Sequence, residues 1–229
     1  MNQTKLKLLI FDLDGTTAHT LPGITEAVNR TCRECGYPLH TDESVLGFVN
    51  YGVKQFTEEM LPADVRTNET EVLHAMEVYL RHYGETYPLT EHFPGIPELL
   101  EKLTARTLVA MNSNKQDEYV KVLNDRMFRP GLFFAAEGFR LERPGKPDPA
   151  MALYIRSLAE QKLGAPIAAD ECVYIGDSDI DVYTARNAGM KLVSVCWGYR
   201  SYEFLRSLGD QPIARTPDEL RDILVGMGL

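Results

Sequence analysis

The residues best suited to chemistry in this chain are carboxylates in two short clusters. Asp12 and Asp14 flank Leu13 and are followed by Gly15 and Thr16, while Asp177 and Asp181 follow the run Tyr174-Ile175-Gly176. In an extended chain a spacing of two turns both carboxylates the same way, and Gly15 lets the backbone bend sharply and present N–H groups. Asp and Gly are also ordinary turn formers, so the first cluster alone equally suits a polar strand end. Converging carboxylates repel one another and raise each other's pKa unless a cation joins them, and hard oxygen ligands suit Mg²⁺. Two further segments fit such a site. Ser113 and Asn114 offer a hydroxyl and backbone N–H groups where a helix is expected to begin, either as an anion cradle or as a plain N-cap. Lys146 sits in Arg143-Pro144-Gly145-Lys146-Pro147, where prolines restrict the backbone and aim the lysine, although a surface lysine is the simpler reading. Asp179 alternates away from the cluster and reads as a helix cap.

Five apolar runs supply the elements that must position these groups: Leu6 to Phe11, Leu108 to Met111, Leu132 to Ala136, Cys172 to Ile175 and Leu192 to Cys196. They read as buried strands, and the connections between them carry helical periodicity, as in Met151, Leu153, Tyr154 and Leu158. Repeated βα units predict a parallel sheet covered by helices on both faces, with ligands at the carboxyl ends of its strands. Both acidic clusters follow such ends. Residues 17–92 are far too many for a βα loop of about 2 to 6 residues. Within them Ile24/Val28/Cys32/Cys35, Val53/Phe56/Met60 and Val72/Met76/Tyr79/Leu80/Tyr83 recur at three- and four-residue spacing and predict a small helical bundle without strands. The expected division is therefore 1–16 and 93–229 for the α/β domain and 17–92 for the insert.

Composition sets outer bounds. The chain has 229 residues and a formal charge of −9, and this acidic balance disfavours nucleic acid and anionic membrane as partners. Its longest early apolar run, Leu8 to Phe11, is much shorter than a signal or spanning segment, so a cytoplasmic protein is expected. Cys32 and Cys35 form a C-x-x-C, the pattern of a redox or zinc half-site, but they share a helical stripe with Ile24 and Val28 and are expected to pack as small apolar groups.

In this order the motifs resemble the haloacid dehalogenase superfamily: Asp12 to Thr16, Ser113-Asn114, Lys146-Pro147 and Gly176 to Asp181. The resemblance implies a doubly wound, Rossmann-like parallel sheet of strand order 5-4-1-2-3 with an α-helical cap inserted after the first motif. It implies a Mg²⁺-dependent phosphatase acting on a small phosphate monoester. Asp12 would be the nucleophile forming an aspartyl-phosphate, Asp14 the acid and base, and Lys146 the cation offsetting their charge. Gly15, Thr16, Ser113 and Asn114 would hold the phosphoryl group. Asp12, Asp177 and the main-chain carbonyl of Asp14 would bind the metal, with Asp181 standing behind these ligands or reaching the metal through water.

Within the superfamily, Leu21-Pro22-Gly23-Ile24, Leu46 to Gly52 and Cys196-Trp197-Gly198-Tyr199-Arg200 are similar to the phosphoglycolate phosphatases. That group continues its first motif with Leu-Val-Asp-Ser, where this chain has Thr17-Ala18-His19-Thr20. Asn50 and Lys54, in and beside the Gly47–Gly52 loop, are candidates for contacting the leaving group. A phosphomutase or pyrophosphatase uses the same core, and a phosphoacceptor signalling module shares the acids, hydroxyl and lysine but not the 17–92 insert. The expected partners are a small-molecule phosphate ester and either no second chain or one identical copy.

Overall fold

Strand formation begins with four apolar residues buried on both sides, which is the signature of a central parallel strand. The computed structural model describes residues 5–49 and 51–229 and folds into two compact units. One runs to Ala18 and resumes over His92–Leu229; the other is His19–Glu91.

The first unit is built on a six-stranded parallel sheet. Its strands are β1 (Leu8–Phe11), β4 (Leu108–Gln116), β5 (Ala135–Phe139), β6 (Cys172–Gly176), β7 (Lys191–Val195) and β8 (Ile213–Ala214), in the spatial order β5-β4-β1-β6-β7-β8. The five expected strands thus stand in the expected order, with β8 added at one edge. At two residues β8 is too short for a periodic signal. The third strand also lies further on than Leu132 to Ala136. Pairing with β4 sets its register, Ala110 opposite Ala135 and Asn112 opposite Glu137, while Leu132 and Phe133 are buried without joining the ladder.

Side chains alternate across the sheet. Leu8, Ile10, Ala110, Cys172, Tyr174 and Leu192 pack on one face against Met151, Ala152, Ile155 and Ala159 of α7 (Ala150–Leu163) and Val182 and Ala185 of α8 (Asp179–Asn187). Leu9, Phe11, Val173 and Ile175 are equally buried on the other. That side includes α5 (Ile96–Thr104), which packs on β4 and on α10 (Pro217–Gly226). The remaining helices of this unit are α6 (Asp117–Met127) and α9 (Tyr202–Ser207).

The second unit consists of α1 (Leu21–Cys35), α2 (Asp42–Leu46), α3 (Val53–Met60) and α4 (Glu69–Thr86). Gly36 ends α1 in the left-handed region at φ 76°, and its N–H returns to the Cys32 carbonyl. Asn68 caps α4 by accepting from the Thr70 amide. The core is aromatic: Phe48 packs edge-on to Phe56 at 5.1 Å, Phe56 lies 4.8 Å from Tyr79, and Tyr79 stacks on Tyr83 at 5.8 Å. Helix α2 is a five-residue segment held by its Thr41 cap, below the length at which periodicity registers. Two-residue strands β2 (Ala18–His19) and β3 (Glu91–His92), which pair as a separate sheet, correct the expectation of no strand between 17 and 92. They too are shorter than one alternation.

All four cysteines are free. Cys32 is buried on α1 and burial pushes its thiol up to about 11, away from the thiolate that metal or redox chemistry needs. Ile155 is wholly buried between α7 and the sheet, so Ile155→Ala removes packed methylenes and leaves a cavity. The expected cost is about 2–5 kcal/mol, read as a lower urea midpoint at unchanged m-value.

Candidate active site

The site grows from the carboxyl ends of β1, β4 and β6, all in the first unit. Beyond Asp12 the chain leaves the ladder and coils tightly, with the Leu13 carbonyl accepting from the amides of Thr16, Thr17 and Ala18. Asp12 therefore projects from the end of the ladder and Asp14 from the turn beyond it, not both from one extended strand. Gly15 adopts φ 87°, and a Cβ there would lie 2.3 Å from an Asp177 oxygen, so any side chain would displace that carboxylate.

Asp12 is 1% exposed and Asp177 and Asp181 are fully buried, with one carboxylate oxygen of each within 4.8 Å of the others. Burial, reinforced by Asp181, Asp177 and Asp14 and opposed by Lys146, holds the Asp12 carboxyl well above the usual range. Burial and Asp181 push Asp177 up to about 7, against the Tyr199 amide and the Thr16 hydroxyl that hydrogen-bond its charged form. Thr16 Oγ1 donates to Asp177 Oδ1 at 3.0 Å and the Tyr199 amide to Oδ2 at 2.7 Å.

Lys146 is the counter-charge. Its Nζ lies 2.6 Å from Asp12 Oδ1 and 2.7 Å from Asp181 Oδ1. Burial disfavours its charge, but Asp12 and Asp181 outweigh that and keep the ammonium protonated. Its backbone is clamped by Asn114, whose Oδ1 accepts from Lys146 N at 2.7 Å and whose Nδ2 donates to Lys146 O at 2.9 Å. The lysine is thus an interior group, not a surface one.

Several sequence expectations change. Ser113 and Asn114 lie within β4, and α6 begins only at Asp117, because the strand continues past Met111 through an irregular register. They are not helix caps. Ser113 Oγ donates to Asp14 Oδ2 at 3.4 Å and accepts from the Lys115 amide at 3.1 Å. Asp181 meets Lys146 directly, and its Oδ2 accepts from the Ser178 amide and hydroxyl, so it also starts α8. The N-cap of α8 is Ser178, not Asp179, which lies 3.7 Å from Arg200.

Sequence reasoning passed over Lys115, whose Nζ lies 3.1 Å from Asp14 Oδ1 with both side chains largely buried. It also gave no role to the segment after β7. There Trp197 Nε1 donates to the Thr16 carbonyl at 3.0 Å, and a Cβ on Gly198 would meet the Gly15 carbonyl oxygen at 2.2 Å. The one signal the sequence offered was the likeness of Cys196 to Arg200 to the phosphoglycolate phosphatases. Lys54 is exposed on α3 of the second unit, 3.8 Å from Glu69, and Asn50 lies outside the described residues.

The donor set suits a hard divalent cation. Asp12 Oδ2 is buried with no hydrogen-bond partner, next to carboxylates whose repulsion a 2+ ion would cancel. Asp12 and Asp177 would hold it, and Asp14 could add its main-chain carbonyl because its carboxylate is engaged by Lys115 and Ser113.

Comparison with known proteins agrees with this arrangement. The haloacid dehalogenase-like hydrolase family matches residues 9–195, and the chain belongs to that family. It is an enzyme, similar to the family's phosphatases. It is 29% identical over 224 residues to a phosphoglycolate phosphatase of Pseudomonas syringae pv. syringae, covering 96% of this chain and 79% of that one. A phosphoglycolate phosphatase of Aquifex aeolicus is 27% identical over 196 residues, covering 85% and 86%. A solved structure from Lactobacillus delbrueckii subsp. bulgaricus, provisionally assigned as a phosphoglycolate phosphatase, superposes with TM-score 0.85 at 33% identity over 96% of this chain and 98% of that one. No helix among the described residues is long and apolar enough to cross a membrane.

If the cluster holds Mg²⁺, binding to the folded state alone raises thermal stability, by about 2.7 kcal/mol at a hundredfold excess over Kd. Differential scanning calorimetry with Mg²⁺ and with chelator should show an upward shift of several degrees. Asp177→Asn should abolish the shift.

Proposed function

We propose that this enzyme is a Mg²⁺-dependent phosphatase that hydrolyses a small phosphate monoester through an aspartyl-phosphate, with 2-phosphoglycolate the leading substrate. The observation that carries the reading is the state of Asp12. One oxygen is held by Lys146 at 2.6 Å, while the other is buried without a hydrogen bond, so the carboxylate is directed and its second oxygen is left for a cation or for phosphorus.

In this reading Asp12 attacks phosphorus in line, the P–O bond to the leaving group breaks, and Asp14 delivers a proton to the departing alkoxide oxygen. Asp14 then takes a proton from the water that attacks phosphorus, releasing inorganic phosphate and restoring Asp12. Ser113 and the Asn114 amide, at the end of β4, are proposed to hold phosphoryl oxygens with the turn amides at Gly15 and Thr16. Lys146 keeps Asp12 oriented and offsets its charge as the phosphate dianion approaches. Mg²⁺, when bound, would neutralise the repulsion between nucleophile and dianion.

A mutase or a pyrophosphatase would use the same core, and the phosphoglycolate phosphatases among the relatives favour the monoesterase. Their activity supports 2-phosphoglycolate as the first substrate to test. Inorganic phosphate release across a panel of phosphorylated metabolites, with Mg²⁺ and with chelator, checks both points. The expected outcome is Mg²⁺-dependent release with 2-phosphoglycolate among the best substrates. Asp12→Asn should lower turnover by about 10³-fold or more at an unchanged circular dichroism spectrum, since an amide of equal size is no nucleophile. Persistent turnover in a variant that has not deamidated would assign the nucleophile elsewhere.

A further inference from the structure

We propose that Lys115 reads the leaving group, and that the substrate therefore carries a carboxylate on the carbon next to its ester oxygen. This rests on the phosphatase reading and on the place of Asp14 within it. Lys115 Nζ lies 3.1 Å from Asp14 Oδ1, and both side chains are less than one-tenth exposed.

The geometry determines which part of a substrate the ammonium meets. Asp14 must come within hydrogen-bond distance of the departing oxygen, about 3 Å, so Lys115 Nζ lies within about 6 Å of that atom when Oδ1 carries the proton and within about 8 Å when Oδ2 does. It stands on the leaving-group side of the carboxylate chemistry. A substituent two bonds from the ester oxygen falls inside either radius.

The two lysines divide the work. Lys146 is locked between Asp12 and Asp181 with its backbone gripped by Asn114, so its charge serves the nucleophile. Lys115 instead places its charge beside Asp14, the proposed proton donor to the leaving group. Its amide is tied to Ser113 Oγ, which fixes the start of the side chain at the end of β4. A partly dry ammonium interacts more strongly with an anion than an exposed one does, and it penalises a second cation just as strongly. The site is thus built to accept a carboxylate there, to tolerate a hydroxyl and to reject an ammonium.

Three esters of equal skeleton test this: 2-phosphoglycolate, 2-hydroxyethyl phosphate and 2-aminoethyl phosphate, each assayed with Mg²⁺. The parent enzyme should rank them in that order of kcat/KM. In Lys115→Gln the ratio of kcat/KM for 2-phosphoglycolate to that for 2-hydroxyethyl phosphate should fall about 10- to 100-fold, the value of one hydrogen bond between charged groups. Lys115→Arg, which keeps the charge, should retain most of the ratio. An unchanged ratio in Lys115→Gln, with both substrates losing activity alike, would make Lys115 a support for Asp14 and overturn the proposal. So would a parent enzyme that prefers the amine, a measurement that needs no variant and stands even if Lys115→Gln does not fold. A parent that cleaves none of these esters or any other phosphomonoester would instead overturn the phosphatase reading beneath it.

Discussion

Four carboxylates share one dry crevice with two lysines, Lys146 and Lys115, and much of the first unit is arranged to make that tolerable. Charges in a low-dielectric interior must be paired and hydrogen-bonded or they protonate. Here each acid has its own device: Asp12 and Asp181 share Lys146, Asp177 accepts from Thr16 and Tyr199, and Asp14 meets Lys115 and Ser113. The compensation is incomplete, since Asp12 retains an unpartnered oxygen and both Asp12 and Asp177 are held above the normal carboxylate range, chiefly by burial. Carboxylates perturbed in this way cluster at functional sites.

The parallel sheet is what brings the acids together. β1 and β6 are adjacent, with Phe11 opposite Ile175, so the turns that follow them emerge side by side. The Asp12 amide donates to the Ile175 carbonyl at 2.9 Å, extending the ladder by one bond into the site. From there the backbone must pass close to itself, and small residues make this possible: a side chain at Gly15 would strike Asp177, and one at Gly198 would strike Gly15. Packing density at this edge is therefore a condition of the electrostatics, because any widening would admit water and separate the pairs.

Positioning in this site runs through backbone as much as through side chains. Asn114 grips both main-chain groups of Lys146, and Trp197 holds the carbonyl of Thr16. Asp181 joins the N-terminal turn of α8 to the lysine through Ser178. A perturbation of any of these residues would reach the nucleophile without touching it.

The apolar runs and the acidic clusters were legible in the sequence because both depend on local pattern: buried parallel strands read as short apolar stretches, and turns after them as Asp and Gly. The strand order was not a matter of pattern; it came from the four motifs taken together as a family resemblance. Elements too short to repeat a period, such as β2, β3, β8 and α2, left no trace. The start of β5 was misplaced because burial of Leu132 and Phe133 does not distinguish a packed loop from a paired strand. The sequence by itself singled out Asp12, Asp14, Ser113, Lys146 and Asp177 as candidates for the chemistry, because their types and their spacing within short motifs are visible there. Which group each one touches was decided only by tertiary structure. Lys115 meets Asp14, far away in the sequence, only in the folded state, and the Tyr199 amide, a group every residue but proline carries, becomes specific solely through its place beside Asp177.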